Sequence, residues 1–250
     1  MNEPRVVAVV PTYNERESLP RLIERIEGFH LSLDVMVVDD ASPDGTGAWA
    51  QARASVDPRV RVIQRPKKEG IGQAYLAGFA QALRAGYDVV IQMDGDLSHR
   101  VEDLPRLLEP VLSGRCDLSL GSRYVRGGGT AGWGWHRRLL SRFGNFYARS
   151  ILGVSIRDLT SGFKCCRAEW VRALEAWSPR MRGYGFQIEQ TYRLLRAGAR
   201  VQEVPILFVE RAHGTSKMGL RIAGEAVWGV WRLRLGAPGA RAGAALWPFR

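Results

Sequence analysis

Asp94, Gly95 and Asp96 close the apolar run Asp88-Val-Val-Ile-Gln-Met. Two carboxylates one residue apart, at the end of a short β-branched segment, are hard oxygen donors suited to Mg²⁺ or Mn²⁺. Those ions retain water and take substrate phosphates into their shell. A solvated Asp-Gly turn has the same letters, so the pair gains meaning from its company. Two other strand-like runs end in polar clusters, Pro11-Thr12-Tyr13-Asn14-Glu15 and Asp39-Asp40-Ala41-Ser42-Pro43-Asp44-Gly45-Thr46. Carboxylates beside a metal repel a nucleotide's phosphates, so Asp39 and Asp40 suit hydrogen bonds from a base and ribose. Tyr13 can pack against the base. Two aspartates ending a buried strand need partners there, because unpaired burial is costly. The stretch from Ser42 to Thr46 also reads as a turn leading into a helix N-cap.

These clusters must be carried to one place, and the pattern of elements says how. Strands are expected over Arg5–Val10, Leu33–Val38, Val60–Gln64 and Asp88–Met93, with helices over Ser18–Phe29, Thr46–Ala54 and Ile71–Ala85 between them. A β-α-β-α-β-α-β order implies a mostly parallel sheet with helices on both faces. Such α/β sheets place ligands at the carboxyl ends of their strands, where all three clusters fall. A helix over Glu102–Ser113 and a strand over Asp117–Leu120 follow. The glycine-rich stretch 126–134 then reads as a mobile loop. Helices over His136–Leu152, Glu169–Trp177 and Phe186–Ala197 and a strand over Arg200–Val204 complete the pattern.

The net charge is +11, and its distribution matters more than its sum: between Asp117 and Asp158 there are seven arginines and no acidic residue. Such a stretch suits a phosphate, a polyanion or an anionic membrane surface. Arg137, Ser141 and Asn145 recur at i, i+4 and i+8, so one helical face presents a guanidinium, a hydroxyl and an amide together. Arg123, in Gly121-Ser122-Arg123-Tyr124, ends the preceding strand and can point into the same space. Two arginines meeting one phosphate make bidentate, charge-assisted contacts. Leu139, Leu140, Phe143, Phe146 and Tyr147 lie between these polar positions. They read mostly as core, some of them as a groove for an apolar chain.

The ordered set PTYNE, DDASPDGT, MDGDLSH, GSRY, DLTSGFK and Glu210-Arg-Ala-His-Gly-Thr-Ser-Lys-Met, from Val6 to Met218, resembles the dolichol- and polyprenol-phosphate mannosyltransferases. These are inverting enzymes within the nucleotide-sugar glycosyltransferase family 2. The resemblance implies a Rossmann-like GT-A fold, a GDP-mannose donor, a divalent ion (Mg²⁺ or Mn²⁺) and a polyprenyl or dolichyl monophosphate acceptor. Position by position, it implies that Pro11, Tyr13, Glu15, Val38 and Asp40 hold the guanosine. Asp94, Gly95 and Asp96 meet metal and diphosphate, and Arg211 and Lys217 close over the phosphates. Asp96, Arg123, Arg137 and Lys217 then form the catalytic set, with Arg123, Arg137 and Ser141 on the acceptor phosphate. Asp158 is the leading carboxylate for orienting the sugar or an arginine, and Gln187 and Glu189 are further candidates for the sugar pocket. For Glu189 a structural ion pair is an equal alternative, and His99 and His213 read as either site or loop residues. Some relatives carry Gln where this chain has Ser98, and the shorter side chain argues for a water-mediated contact there.

Three cysteines fit neither a zinc spacing nor a disulfide framework, which makes a reducing cytosol the expected setting. No signal peptide and no run near the roughly 18 apolar residues of a membrane span is legible. The expected organisation is a catalytic domain over 1–216, an amphipathic helix over 217–235 and a basic, poorly ordered tail over 236–250. Trp228, Trp231, Val227, Val230 and Ile222 surround a narrow polar face of Arg221, Glu225 and Arg232. That helix suits either the interface of an anionic membrane or ordinary packing on the domain. Three rivals remain: a UDP-glucose donor with the same acceptor, a glycan-hydroxyl acceptor that requires a carboxylate base, and a basic nucleic-acid-binding protein. The last leaves the aspartates at one sheet edge unexplained, and no nucleic acid is expected as partner.

Overall fold

The computed structural model describes residues 3–29, 31–175, 177–181, 183–210 and 220–236, with side chains in the last segment from 227 onward. The first half alternates β1 (Val6–Thr12), α1 (Ser18–Gly28), β2 (Leu33–Asp39), α2 (Thr46–Val56), β3 (Val60–Gln64), α3 (Ile71–Arg84) and β4 (Val89–Gln92). After α4 (Leu104–Leu112) come β5 (Leu118–Ser122), β6 (Gly129–Ala131), α5 (Trp135–Leu152), β7 (Lys164–Arg167) and α6 (Ala168–Arg172). The described chain closes with α7 (Tyr184–Arg196), β8 (Val201–Pro205), β9 (Leu207–Val209) and α8 (Leu220–Arg234).

Seven strands form one sheet in the order β3-β2-β1-β4-β7-β5-β8. All neighbours are parallel except β7, which runs antiparallel to both β4 and β5. The sheet is covered on both faces, so β1 reads Val-Val-Ala-Val-Val without alternation. α1 turns Leu19, Leu22, Ile23 and Ile26 onto one face, and α4 does the same with Leu104, Leu107, Leu108 and Val111. α3 covers the opposite face at very short range. A Cβ added to Gly78 would lie 2.3 Å from Val9 Cγ1.

Several expectations need correction. The antiparallel β7 is absent from the sequence reading, because Lys-Cys-Cys-Arg has no apolar alternation and its lysine is fully buried. The glycine-rich stretch is not a free loop: β6 pairs in parallel with β9, Gly129 opposite Leu207. The helix expected over Glu169–Trp177 ends at Arg172. Leu139, Leu140, Phe143 and Phe146 are not core: each stands more than half exposed, because no described element covers that side of α5. α8 packs on α5 and α7 through Val230 and Gly229, the latter against Met181, while Val227, Trp228 and Trp231 face outward. One face of this helix therefore packs on the domain, and the other is exposed. No helix among the described residues is long and apolar enough to cross a membrane.

Candidate active site

The ends of β1, β2 and β4 meet at one edge, with Thr12 opposite Asp39 in register. The Asp94-Gly95-Asp96 turn folds back over β1, so a Cβ on Gly95 would lie 3.4 Å from Thr12 and 3.5 Å from Pro11 O. Just past each strand end sits one non-glycine residue in left-handed conformation: Asn14 (φ 62°), Ala41 (φ 54°) and Leu97 (φ 63°). Such residues cost about 1–2 kcal/mol each and persist only where surrounding bonds over-determine them. Here those bonds are visible. Asn14 N donates to Ser42 Oγ (3.1 Å), Glu15 N to Thr46 Oγ1 (3.0 Å) and Arg16 N to Asp44 Oδ2 (3.0 Å), tying the first two loops together.

Asp39 and Asp40 divide their tasks. Asp39 accepts from Thr12 Oγ1, Ser42 N and Ser42 Oγ and so holds the turn. Asp40 pairs with Arg65, which also pairs with Glu69. Burial raises the pKa of Asp40 and outweighs the opposing pull of Arg65. The Tyr13 ring lies 3.4 Å beneath Lys68 Nζ, and Glu15 accepts from Ser18 Oγ. The Val38 side chain turns into the core, fully buried against Gly78 of α3, so only its backbone stands at the strand end.

Asp94 accepts from the phenol of Tyr75 (2.9 Å), and His99 Nε2 lies 3.4 Å from its other oxygen. Burial, and then Asp94, push the Tyr75 phenol well above its ordinary range, so it stays a donor. Asp96 accepts from Ser98 N (3.0 Å). Ser98 is fully buried, and His99, also buried, is stacked on Phe163 and edge-on to Phe208. The loop after Asp158 closes on this turn. A Cβ on Gly162 would lie 3.3 Å from Gln187 Nε2 and 3.5 Å from Asp94 Oδ2, so Gln187 belongs to the same neighbourhood.

Across the site, Arg123 is 5 % exposed and committed to Asp158. Its N (3.0 Å) and Nε (2.7 Å) donate to one carboxylate oxygen, its Nη2 (2.6 Å) to the other. Burial works against this charge, yet Asp158 holds it above the ordinary arginine range. Nη2 also reaches Thr160, which meets Asn145 of α5, whose amide donates to Ser141 O; Ser141 Oγ in turn accepts from Tyr124 (2.6 Å). Arg137 donates to Glu210 (2.8 Å) and lies 4.0 Å from the centre of the Trp133 ring. Arg123 lies 5.3 Å from the same ring, so both arginines flank one indole. Neither has a free guanidinium, contrary to a picture of bare cations awaiting phosphate. Of the two alternatives for Asp158, it orients an arginine.

Glu189 is not brought to the site. It is fully buried and accepts from Trp177 Nε1, Arg193 Nε and the backbone of Arg180 and Met181. Arg211, His213 and Lys217 lie outside the described residues. Sequence reading also missed Lys164, whose fully buried amine donates to Gln187 O (3.1 Å), Gln187 Oε1 (2.7 Å) and Gln190 Oε1 (2.9 Å). Burial brings its pKa down to about 7, with Cys166, Asp158 and Asp94 pulling the other way. A lysine within an apolar-flanked SGFK motif was the available signal.

A mostly parallel sheet whose strand ends gather aspartates, with arginines in its second half, is the GT-A architecture of glycosyltransferases. The family Glycosyl transferase family 2 matches residues 7–174, and the chain belongs to it. It is 49% identical over 233 residues to an undecaprenyl-phosphate mannosyltransferase of Micrococcus luteus, covering 93% of this chain and 95% of that one. It is 46% identical over 233 residues to a polyprenol monophosphomannose synthase of Mycolicibacterium smegmatis, covering 92% and 88%. Among solved structures, glucosyl-3-phosphoglycerate synthase from Mycobacterium tuberculosis in complex with phosphoglyceric acid shares the fold. Its TM-score is 0.67 at 23% identity, over 94% of this chain and 81% of that one.

Proposed function

We propose that this chain transfers mannose from GDP-mannose to a polyprenyl or dolichyl monophosphate with inversion, at the cytoplasmic face of the cell membrane. The observation that carries this reading is the near-full-length similarity to two enzymes named for mannose transfer to undecaprenyl phosphate and for polyprenol monophosphomannose synthesis. The GDP donor, the inversion and the membrane face rest on the motif resemblance. The geometry favours a phosphate acceptor over a hydroxyl for a separate reason. A hydroxyl needs a carboxylate base, yet Asp158 is bound to Arg123 and Glu189 is enclosed. A phosphate monoester has its second pKa at about 6 and is largely dianionic at neutral pH, so it needs placing rather than deprotonating. Arg137 and Ser141 suit that task, with Glu210 yielding to the incoming phosphate. Arg123 supports the wall through Asp158 and Thr160.

Asp94 and Asp96 fit a divalent ion, Mg²⁺ or Mn²⁺. They are two hard donors at a sheet edge, and such ions commonly use one or two carboxylates with phosphates and water completing the shell. When bound, the ion supplies charge stabilisation to the leaving diphosphate. Asp40 and Tyr13 serve the nucleoside, Arg65 releasing Asp40 or sharing it. Arg211 and Lys217 keep their sequence-based assignment to the diphosphate. Contact with the anionic membrane uses Trp135, Leu139, Phe143 and Phe146 of α5 together with Trp228 and Trp231 of α8, all exposed. An apolar face of that breadth, set among arginines, suits a shallow interfacial seat.

Pure protein mixed with radiolabelled GDP-mannose or UDP-glucose and a short polyprenyl phosphate tests the reading. Mannosyl lipid should form, and it should fail in chelator and in Asp96→Asn. Transfer of glucose instead, or activity only on a glycan hydroxyl, would overturn it.

A further inference from the structure

A second concave site lies beside α5, and its three arginines are outside the residues assigned above. It is an open cavity of about 330 Å³ lined by Tyr124, Arg142, Phe146, Arg149 and Arg157, in the size range of small-ligand pockets. Arg142, Phe146 and Arg149 follow at i, i+4 and i+7, one helical face, and Arg157 comes from the turn after α5. The guanidinium of Arg142 lies 5.9 Å from the Tyr124 ring, and that of Arg149 lies 5.5 Å from the Phe146 ring. The rings steady both cations while leaving their N–H edges available. Among the described residues, no carboxylate forms an ion pair with any of the three arginines. Glu203, near Arg157, is spent on the backbone N–H groups of Arg157 (2.8 Å) and Asp158 (3.0 Å). Arg123 and Arg137, by contrast, already hold Asp158 and Glu210.

Three like charges around one cavity repel until an anion enters, and arginine forks match phosphate oxygens. The same helix face continues into Leu139 and Trp135, with Phe143 beside it, all exposed. Cations beside a bare apolar ridge match a lipid leaflet in both its parts, headgroup and acyl chain. We propose that this pocket binds the phosphodiester headgroup of an anionic phospholipid, separately from the reacting phosphate. This rests on the membrane contact proposed above, and it makes that contact selective for lipid charge at a defined point.

The test uses the full chain, phosphatidylcholine vesicles with and without phosphatidylglycerol, and the triple variant Arg142→Gln/Arg149→Gln/Arg157→Gln. Its binding to phosphatidylglycerol vesicles should fall by about tenfold or more. Turnover of a short, water-soluble polyprenyl phosphate should stay within about twofold of wild type. A control triple on other helices, Arg21→Gln/Arg25→Gln/Arg84→Gln, removes the same charge and should leave vesicle binding nearly intact. Equal losses in both triples would mean bulk electrostatics and overturn the pocket. A collapse of soluble-acceptor turnover would assign the cavity to the reacting phosphate and also overturn it. So would saturable binding of millimolar inorganic phosphate that the triple variant abolishes while vesicle binding is unchanged. If no mannose is transferred by any form but the vesicle difference persists, the pocket stands and the proposed activity falls.

Discussion

Replacing Asp158 with asparagine exchanges one of two carboxylate oxygens for an amide, within the same volume. Asp158 is fully buried, and its side chain accepts from Arg123 N, Nε and Nη2 and from Thr160 Oγ1. The side chains of the pair are 4% and 0% exposed, so solvent screens neither charge. Removing one partner of a buried pair strands the other charge and costs about 3–5 kcal/mol. With a urea m-value of about 3 kcal/mol/M, the upper end of the usual range, the unfolding midpoint should drop by roughly 1–1.7 M. Tryptophan fluorescence in urea measures this directly. The double variant Arg123→Met/Asp158→Leu tests the cause, because an apolar pair of similar bulk often matches a buried ion pair. It should recover most of the loss, giving a coupling of about 2 kcal/mol or more. If Asp158→Asn costs less than about 1 kcal/mol, the ion pair is not what holds this wall, and Arg123 is available to substrate after all. Should Asp158→Asn fail to fold, Arg123→Lys provides the same comparison, since it keeps the charge and loses the fork.

Lys164 makes a pH prediction. Its native pKa of about 7 lies below its unfolded value, so from pH 7 upward the unfolded chain binds more protons and stability rises with pH. The slope is at most about 1.4 kcal/mol per pH unit. Urea midpoints of wild type and Lys164→Met at pH 7, 7.5 and 8, the two sharing the same cysteines so that their titration cancels, should diverge accordingly; parallel profiles would refute it. Gly128→Ala would put a methyl 2.4 Å from Ser122 O, a backbone atom that cannot swing aside. It should cost about 1–3 kcal/mol and loosen the β6–β9 pairing, read by amide exchange at Gly129–Ala131. Arg137→Ala should raise the acceptor KM by about tenfold or more while sparing the donor KM. Glu210→Gln should lower the acceptor KM, because it removes the competing carboxylate 2.8 Å from Arg137. An unchanged acceptor KM in both would move Arg137 out of the acceptor site.

The parallel half of the sheet, β1 to β4, and the aspartates at its edge were legible in the sequence alone. Strands buried on both faces read as near-continuous apolar runs, and Val6–Val10, Val35–Val38 and Val89–Ile91 provide them. Where such a run stops at aspartate the chain turns at the sheet edge, so the placement of Asp39, Asp40, Asp94 and Asp96 there followed from local chemistry. Partnerships were decided only in three dimensions. Arg123 and Asp158 are 35 residues apart, and nothing local distinguishes an arginine held by a carboxylate from one awaiting phosphate. β7 lies between strands far from it in sequence, and its buried Lys164 is tolerable only because α7 brings two glutamines to it. Helical periodicity put Leu139, Phe143 and Phe146 on a common side of α5, but periodicity cannot say whether another element covers that side. Coverage is a property of the assembled fold, and here the described elements leave it open.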